Sequence, residues 1–249
     1  MKKFIVIALF FIARSGIAQT DKTWAFGLQC GIQGNSSVFT GGSDVAAGQF
    51  EHNSFGSGSF LAIARYDYNS RWMFMTGFGF VSYGFEFSRK VDYYSVSRLD
   101  DSRNTTISNE FGAVEIPAMV FYKFRLNCRN ARWLIGAGLS ALLAGQQQSA
   151  ASVDDDTEGN NGKAVFLKSE ATANDGAFGM LRFAFNRERI LKKGGIIQAG
   201  LLFNFGFRTL ANATVHYQVD GQNFSHTFSN SGNFVGIRAC YFFRSRRTN

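Results

Sequence analysis

GIIQAGLLFNFGFR (residues 195–208) alternates with a period of two. Ile197, Ala199, Leu201, Phe203, Phe205 and Phe207 fall on one face, opposite Gln198, Gly200, Asn204, Gly206 and Arg208. Successive side chains of a strand point to opposite sides of the sheet. An apolar, aromatic face set against a small or polar one is what a wall between lipid and a lumen requires. A soluble eight-stranded barrel of the lipocalin type shares the hairpin connections, but its inside is apolar and its outside polar. The segment therefore favours a membrane wall.

The same division recurs along the chain. Trp24, Phe26, Leu28, Cys30 and Ile32 oppose Thr23, Ala25, Gly27, Gln29, Gly31 and Gln33. Val235, Ile237, Ala239, Tyr241 and Phe243 oppose Phe234, Gly236, Arg238 and Cys240. Segments of this kind are expected at about 23–34, 59–68, 72–88, 111–124, 133–145, 175–186, 195–210 and 231–243, long enough for tilted strands that need roughly 9–11 residues to cross. In 72–88 the aromatics change phase near Tyr83, which predicts a bulge or an extension beyond the membrane. Trp24, Trp72, Trp133, Tyr66, Tyr68, Tyr122, Tyr241 and Phe243 gather near one set of strand ends, as an interfacial girdle.

The links between segments alternate in length. Those over 35–57, 89–108, 146–174 and 211–230 are long, and those over 69–71, 125–131 and 187–194 are short. Long loops on one rim and tight turns on the other predict an all-β, eight-stranded antiparallel transmembrane barrel with extracellular loops and periplasmic turns. Composition agrees: 28 Phe and 27 Gly accompany a single Pro, with mean hydropathy −0.08. The first residues read as an export signal over 1–18, with Lys2 and Lys3 ahead of an apolar Phe4–Ala13 run and small residues at Gly16 and Ala18. The barrel then occupies 19–249, in the outer membrane of a Gram-negative bacterium.

The polar faces carry Arg65, Asp67, Glu115, Lys123, Arg182, Arg208 and Arg238. Asp67 and Lys123 are expected low in the lumen, and Glu115, Arg182 and Arg238 at mid-height. An eight-stranded barrel is only wide enough for its side chains to fill it, so this network reads first as a plug. The excess of positive charge leaves a second reading, a small conducting or ligand-binding barrel. Cys30, Cys128 and Cys240 are expected as free thiols, with Cys30 and Cys240 on neighbouring strands at different heights. The acidic run from Asp154 to Gly159 has alternate acids, but Val165 stands where a calcium loop needs a bidentate Glu. No catalytic grouping, cofactor or metal site is expected, and an enzyme is the weakest reading.

Net charge is +8. The predicted periplasmic turns hold Arg187, Arg189, Lys192 and Lys193, among other basic residues, with Glu188 the lone acid. A basic rim of this kind suits outer-membrane lipid headgroups or an acidic periplasmic or membrane protein partner better than nucleic acid.

FGAVEIPAMVFYKF (residues 111–124) resembles the outer-membrane β-barrel domain family common in Bacteroidota, which includes PorT-like barrels. The resemblance rests on Glu115-Ile116-Pro117, the apolar run to Tyr122 and the basic-aromatic end Lys123-Phe124. WLIGAGLSALL (133–143) and the terminal NFVGIRACYFF (233–243) are similar in kind, and only the tail after Phe243 departs from the pattern. The resemblance implies an eight-stranded barrel without shared catalytic residues, some relatives serving secretion or gliding. Pro117 lacks an N–H for the ladder, so it should mark a bulge or a locally broken pairing.

Overall fold

Backbone N–H and C=O groups inside a bilayer must be paired within the protein, so a strand-built span has to close on itself. A computed structural model shows how this chain closes. It describes residues 23–42, 50–53, 55–89, 106–125, 131–154, 166–191, 194–219 and 222–243, and the export signal expected over 1–18 lies outside them. The strands are β1 (Thr23–Gly42), β2 (Phe50–Asn53), β3 (Phe55–Asp67), β4 (Trp72–Arg89), β5 (Thr106–Arg125), β6 (Ala131–Ala144), β7 (Gln147–Asp154), β8 (Phe166–Ala173), β9 (Gly176–Ile190), β10 (Ile196–Gly206), β11 (Ala211–Val219) and β12 (Gln222–Phe243). Eight of these form an antiparallel barrel in the order β1-β3-β4-β5-β6-β9-β10-β12, and β12 pairs back onto β1 from Phe26↔Phe243 upward.

The lipid-facing belt is aromatic at its periplasmic edge. Trp24 and Tyr66 are paired across β1 and β3 with ring centroids 4.9 Å apart. Trp72 meets Tyr122 at 5.0 Å, Trp133 stacks on Phe185 at 4.8 Å, and Tyr241 meets Phe243 at 4.9 Å. Each such pair contributes about 0.5–1.5 kcal/mol beyond its buried area. The first periplasmic turn is closed by the Asn69 side chain, whose Oδ1 accepts from the backbone N–H of Arg71 and Trp72 at 2.8 and 2.7 Å.

Three of the long outer links are largely strand among the described residues: in the link over 35–57, β1 runs on to Gly42, β2 covers Phe50–Asn53 and β3 begins at Phe55. Residues 147–154, 166–173 and 211–219 are strands, and β12 already begins at Gln222. The β7–β8 ladder continues the β6–β9 ladder in the same register, from Ala144↔Gly176 to Gln147↔Ala173. The wall thus rises past the membrane. These segments escape a hydropathy reading because one face meets water and the other is built of small residues, such as Ala171, Ala173, Ala211 and Ala213, all buried.

The phase change expected near Tyr83 resolves in the same way. Strand β4 keeps one register with β3 and with β5 and has no bulge. Below, Phe74, Phe78 and Phe80 point outward and are exposed; above, Tyr83, Phe85 and Phe87 point inward and are buried. The chemistry inverts where the surroundings change from lipid to water, and the backbone does not. Around those three residues lies an apolar core that includes Phe111, Leu142, Phe178, Met180 and Phe234.

Pro117 breaks its pairing locally. The β4–β5 ladder runs to Thr76↔Ala118 and resumes at Gly79↔Glu115 without a register change, leaving Gly77 and Phe78 unmatched. The Thr76 hydroxyl donates to the Pro117 carbonyl at 2.8 Å and closes part of the gap.

Candidate functional site: the charged lumen

Inward glycines on β1, β4, β6, β10 and β12 stand among large side chains and make room for them. A Cβ at Gly136 would sit 2.3 Å from atoms of the Phe121 ring, so only glycine fits beneath it. At the periplasmic end, Lys123 Nζ lies 2.6 Å from Asp67 Oδ1 and 3.0 Å from the Asn69 carbonyl. Arg65 donates to both Asp67 oxygens from Nε, at 3.1 and 3.0 Å. Its Nη1 makes a short ion pair with Glu188 on β9. Gln198 Nε2 also donates to Glu188, at 2.9 Å, and Arg132 Nε approaches it to 3.8 Å.

At mid-height Arg182 Nη1 lies 2.6 Å from Glu115 Oε1. That contact is close but off the N–H direction, so it acts as a Coulombic pair. The directed bonds there are Arg182 Nε to Asn204 Oδ1 (3.0 Å) and Ser140 Oγ to Glu115 Oε1 (2.7 Å). Arg238 joins neither Glu115 nor Arg182. It donates to Gln29 Oε1 at 3.3 Å and lies 5.3 Å over the Phe121 ring.

This arrangement is a lipid-facing wall of eight antiparallel strands around a packed charged interior. Its sequence matches the outer membrane protein beta-barrel domain family over residues 17–209. The chain belongs to that family. It is an outer-membrane barrel. No curated protein matches it. Solved structures similar to it include OprG from Pseudomonas aeruginosa, at 10% identity with 92% of this chain and 100% of that one covered and a TM-score of 0.42. A major outer membrane protein from Thermus thermophilus is 15% identical over 89% and 100%, with a TM-score of 0.38. Ail, the attachment invasion locus protein of Yersinia pestis, is 10% identical over 90% and 100%, with a TM-score of 0.33.

Several expected site residues take other places in this family member. Arg208 is not in the lumen: β10 ends at Gly206, and Arg208 is exposed in the bend beyond it. The expected turn over 187–194 is shorter, because β9 extends to Ile190. Arg187 and Arg189 therefore stand on the outward face of a strand, Arg187 lying 5.9 Å from the Trp133 ring, while Lys192 and Lys193 lie outside the described residues. Glu188 between them points inward and is fully buried. It reads as a rim acid only when the strand is ended early; the alternation Arg187-Glu188-Arg189 carries the signal that it faces inward.

Cys30 and Cys240 are free, and they are not at different heights. Cys30 pairs with Ala239 and Gln29 with Cys240, so opposite facing keeps the thiols apart. Cys128 and residues 155–165 of the acidic run lie outside the described residues. At the periplasmic rim a cavity of about 400 Å³ is lined by Ser70, Arg71, Tyr122, Lys123 and Phe124.

Proposed function

We propose that this chain is a non-enzymatic, PorT-like outer-membrane barrel with a closed lumen, exported by its first 18 residues and acting as a scaffold or anchor in a secretion or surface-assembly system. The observation that carries the closed lumen is the meeting of opposite walls. Strands β3 and β9 stand four places apart in a ring of eight, and Arg65 still pairs with Glu188. Arg238 on β12 likewise reaches Phe121 on β5, and Gln198 on β10 reaches Met73 Sδ on β4 at 3.8 Å. A passage for ions would have to displace these contacts. Glu115-Ile116-Pro117 supports the PorT-like assignment.

Docking is assigned to the basic periplasmic rim, whose described members include exposed Arg71, Arg187 and Arg189. The partner is an acidic periplasmic or membrane protein. Reversal of Arg187, Arg189, Lys192 and Lys193 to Glu should strip that partner from affinity-purified barrel while heat-modifiable migration persists. Each basic residue near an anionic surface is worth about 1 kcal/mol, so four reversals form a large perturbation. An unchanged set of co-purifying proteins would leave lipid headgroups as the only ligand of this rim. In a planar bilayer, wild-type protein should show no stable conductance; large steady openings would refute the closed lumen.

A further inference from the structure

Every cation at one level of the lumen is paired with a carboxylate, and at the next level one is not. At the periplasmic end Arg65, Lys123 and the half-buried Arg132 meet Asp67 and Glu188, and each of the three cations is paired with a carboxylate. At mid-height Arg182 and Arg238 face Glu115 alone among the described residues, and Arg182 and Ser140 already engage it. Arg238 is 1% exposed. Its partners are all neutral: Gln29 Oε1, the Asn186 amide oxygen at 3.3 Å, Met119 Sδ at 3.8 Å and the Phe121 face. Turning the Asn186 amide over brings its oxygen to 2.6 Å from Nη2, which leaves the acceptor neutral all the same. The thiol of Cys240 donates to the same Gln29 oxygen at 3.6 Å, so it supplies no negative charge in that contact. A buried cation without a counter-charge is costly.

The wall beside Arg238 carries buried donors without partners among the described residues. Its neighbours in register are Gly31 on β1 and Gly200 on β10, so no side chain stands beside it on either strand. Gln29 and Gln33 flank Gly31 on the inward face of β1. Both are buried, and the amide nitrogen of each has no partner among the described residues. An amide nitrogen only donates. Ser59 Oγ lies beside Gly31 as well, 2.8 Å from where a Cβ would stand. A cation lacking a counter-charge and two unsatisfied buried donors share one stretch of wall, and a negatively charged acceptor answers all of them.

We propose that the mid-lumen binds one small monovalent inorganic anion of chloride size, held by the Arg238 guanidinium with the side-chain amides of Gln29 and Gln33. The site is a resident counter-ion site in a packed lumen, and the narrow eight-stranded interior selects against larger anions.

The test is thermal unfolding of the full-length protein in detergent, in sodium chloride, bromide and gluconate at equal ionic strength, with crystals grown in bromide. A higher midpoint in chloride and bromide than in gluconate is expected, rising with the logarithm of halide concentration. An anomalous bromide peak is expected within ~3.5 Å of the Arg238 guanidinium. Arg238→Gln should abolish the halide dependence, and Arg71→Gln at the exposed rim should leave it intact. Should Arg238→Gln fail to fold, Gln33→Leu keeps the charge and should weaken the apparent halide affinity about tenfold, the value of one charge-assisted hydrogen bond. Equal midpoints in all three salts without a bromide peak would overturn the site. Full halide dependence in folded Arg238→Gln or Gln33→Leu would do the same.

Discussion

Glu188 on β9 and Arg65 on β3 form an ion pair across the diameter of the barrel, with both side chains buried. The pair joins walls that share no backbone ladder, and Asp67, Lys123 and Gln198 connect to it. Glu188→Ala leaves Arg65 with Asp67 as its one carboxylate and Gln198 Nε2 with only the weak Met73 Sδ acceptor. Breaking a buried pair from one side costs about 3–5 kcal/mol. The midpoint of heat-modifiable migration should fall strongly, whereas Glu110→Ala on the exposed face of β5 should hardly move it. The double variant Arg65→Met, Glu188→Leu should regain much of the loss, since apolar replacement of both partners removes the stranded charge.

Thr76 and Pro117 make a second, separable prediction. Thr76→Val removes the hydroxyl that donates to the Pro117 carbonyl across the break in the β4–β5 ladder. A net loss of about 1 kcal/mol is expected, the ordinary worth of one such bond. Pro117→Ala should shift stability the other way or not at all, because it restores an N–H at a position where the register is already correct. A drop of several kcal/mol on Pro117→Ala would mean that the proline ring itself is required.

The outer wall has a seam closed by side chains. Among the described residues no backbone ladder joins β5 to β7. The Gln147 amide bridges them, accepting from the Gly112 N–H at 3.2 Å and donating to the Gly112 carbonyl at 3.1 Å, with Asn109 Nδ2 donating to Ser149 Oγ at 3.0 Å. Gln147→Ala removes two of these three bonds. Hydrogen exchange over β7 should accelerate about tenfold while the transmembrane strands keep their protection. Equal exchange in wild type and variant would show that the seam does not depend on Gln147.

Tyr83 offers a titration. It stands above the lipid-facing belt, fully buried, and burial pushes its phenol up to about 12 from an ordinary 10. The folded state therefore holds this proton more tightly than the unfolded one. That contribution is complete below pH 10 and is lost as pH rises from 10 towards 12. Tyr83→Phe should flatten the alkaline decline in stability over that interval. A wild-type curve superimposable on that of Tyr83→Phe would contradict the buried phenol.

Alternation alone determined much of this protein. The two faces of residues 23–33 and 197–205 separate lipid from lumen because a strand has a period of two, and chain closure in a bilayer follows from the need to pair every backbone group. The same logic places Arg65, Asp67, Glu115, Lys123, Arg182 and Arg238 inside. What alternation does not hold is where a strand stops, because that depends on what surrounds it. Residues 147–154 and 211–219 look like loop by hydropathy, yet they carry the wall into water, where small inward side chains suffice. Arg208 continues an alternating pattern, yet the strand has ended two residues before it. Pairing is a tertiary matter too: one-dimensional spacing gives heights along strands, whereas contacts depend on the ring order. Glu188 finds Arg65 and Arg238 finds only neutral acceptors among the described residues because barrel closure sets which walls face each other across a lumen only a few side chains wide.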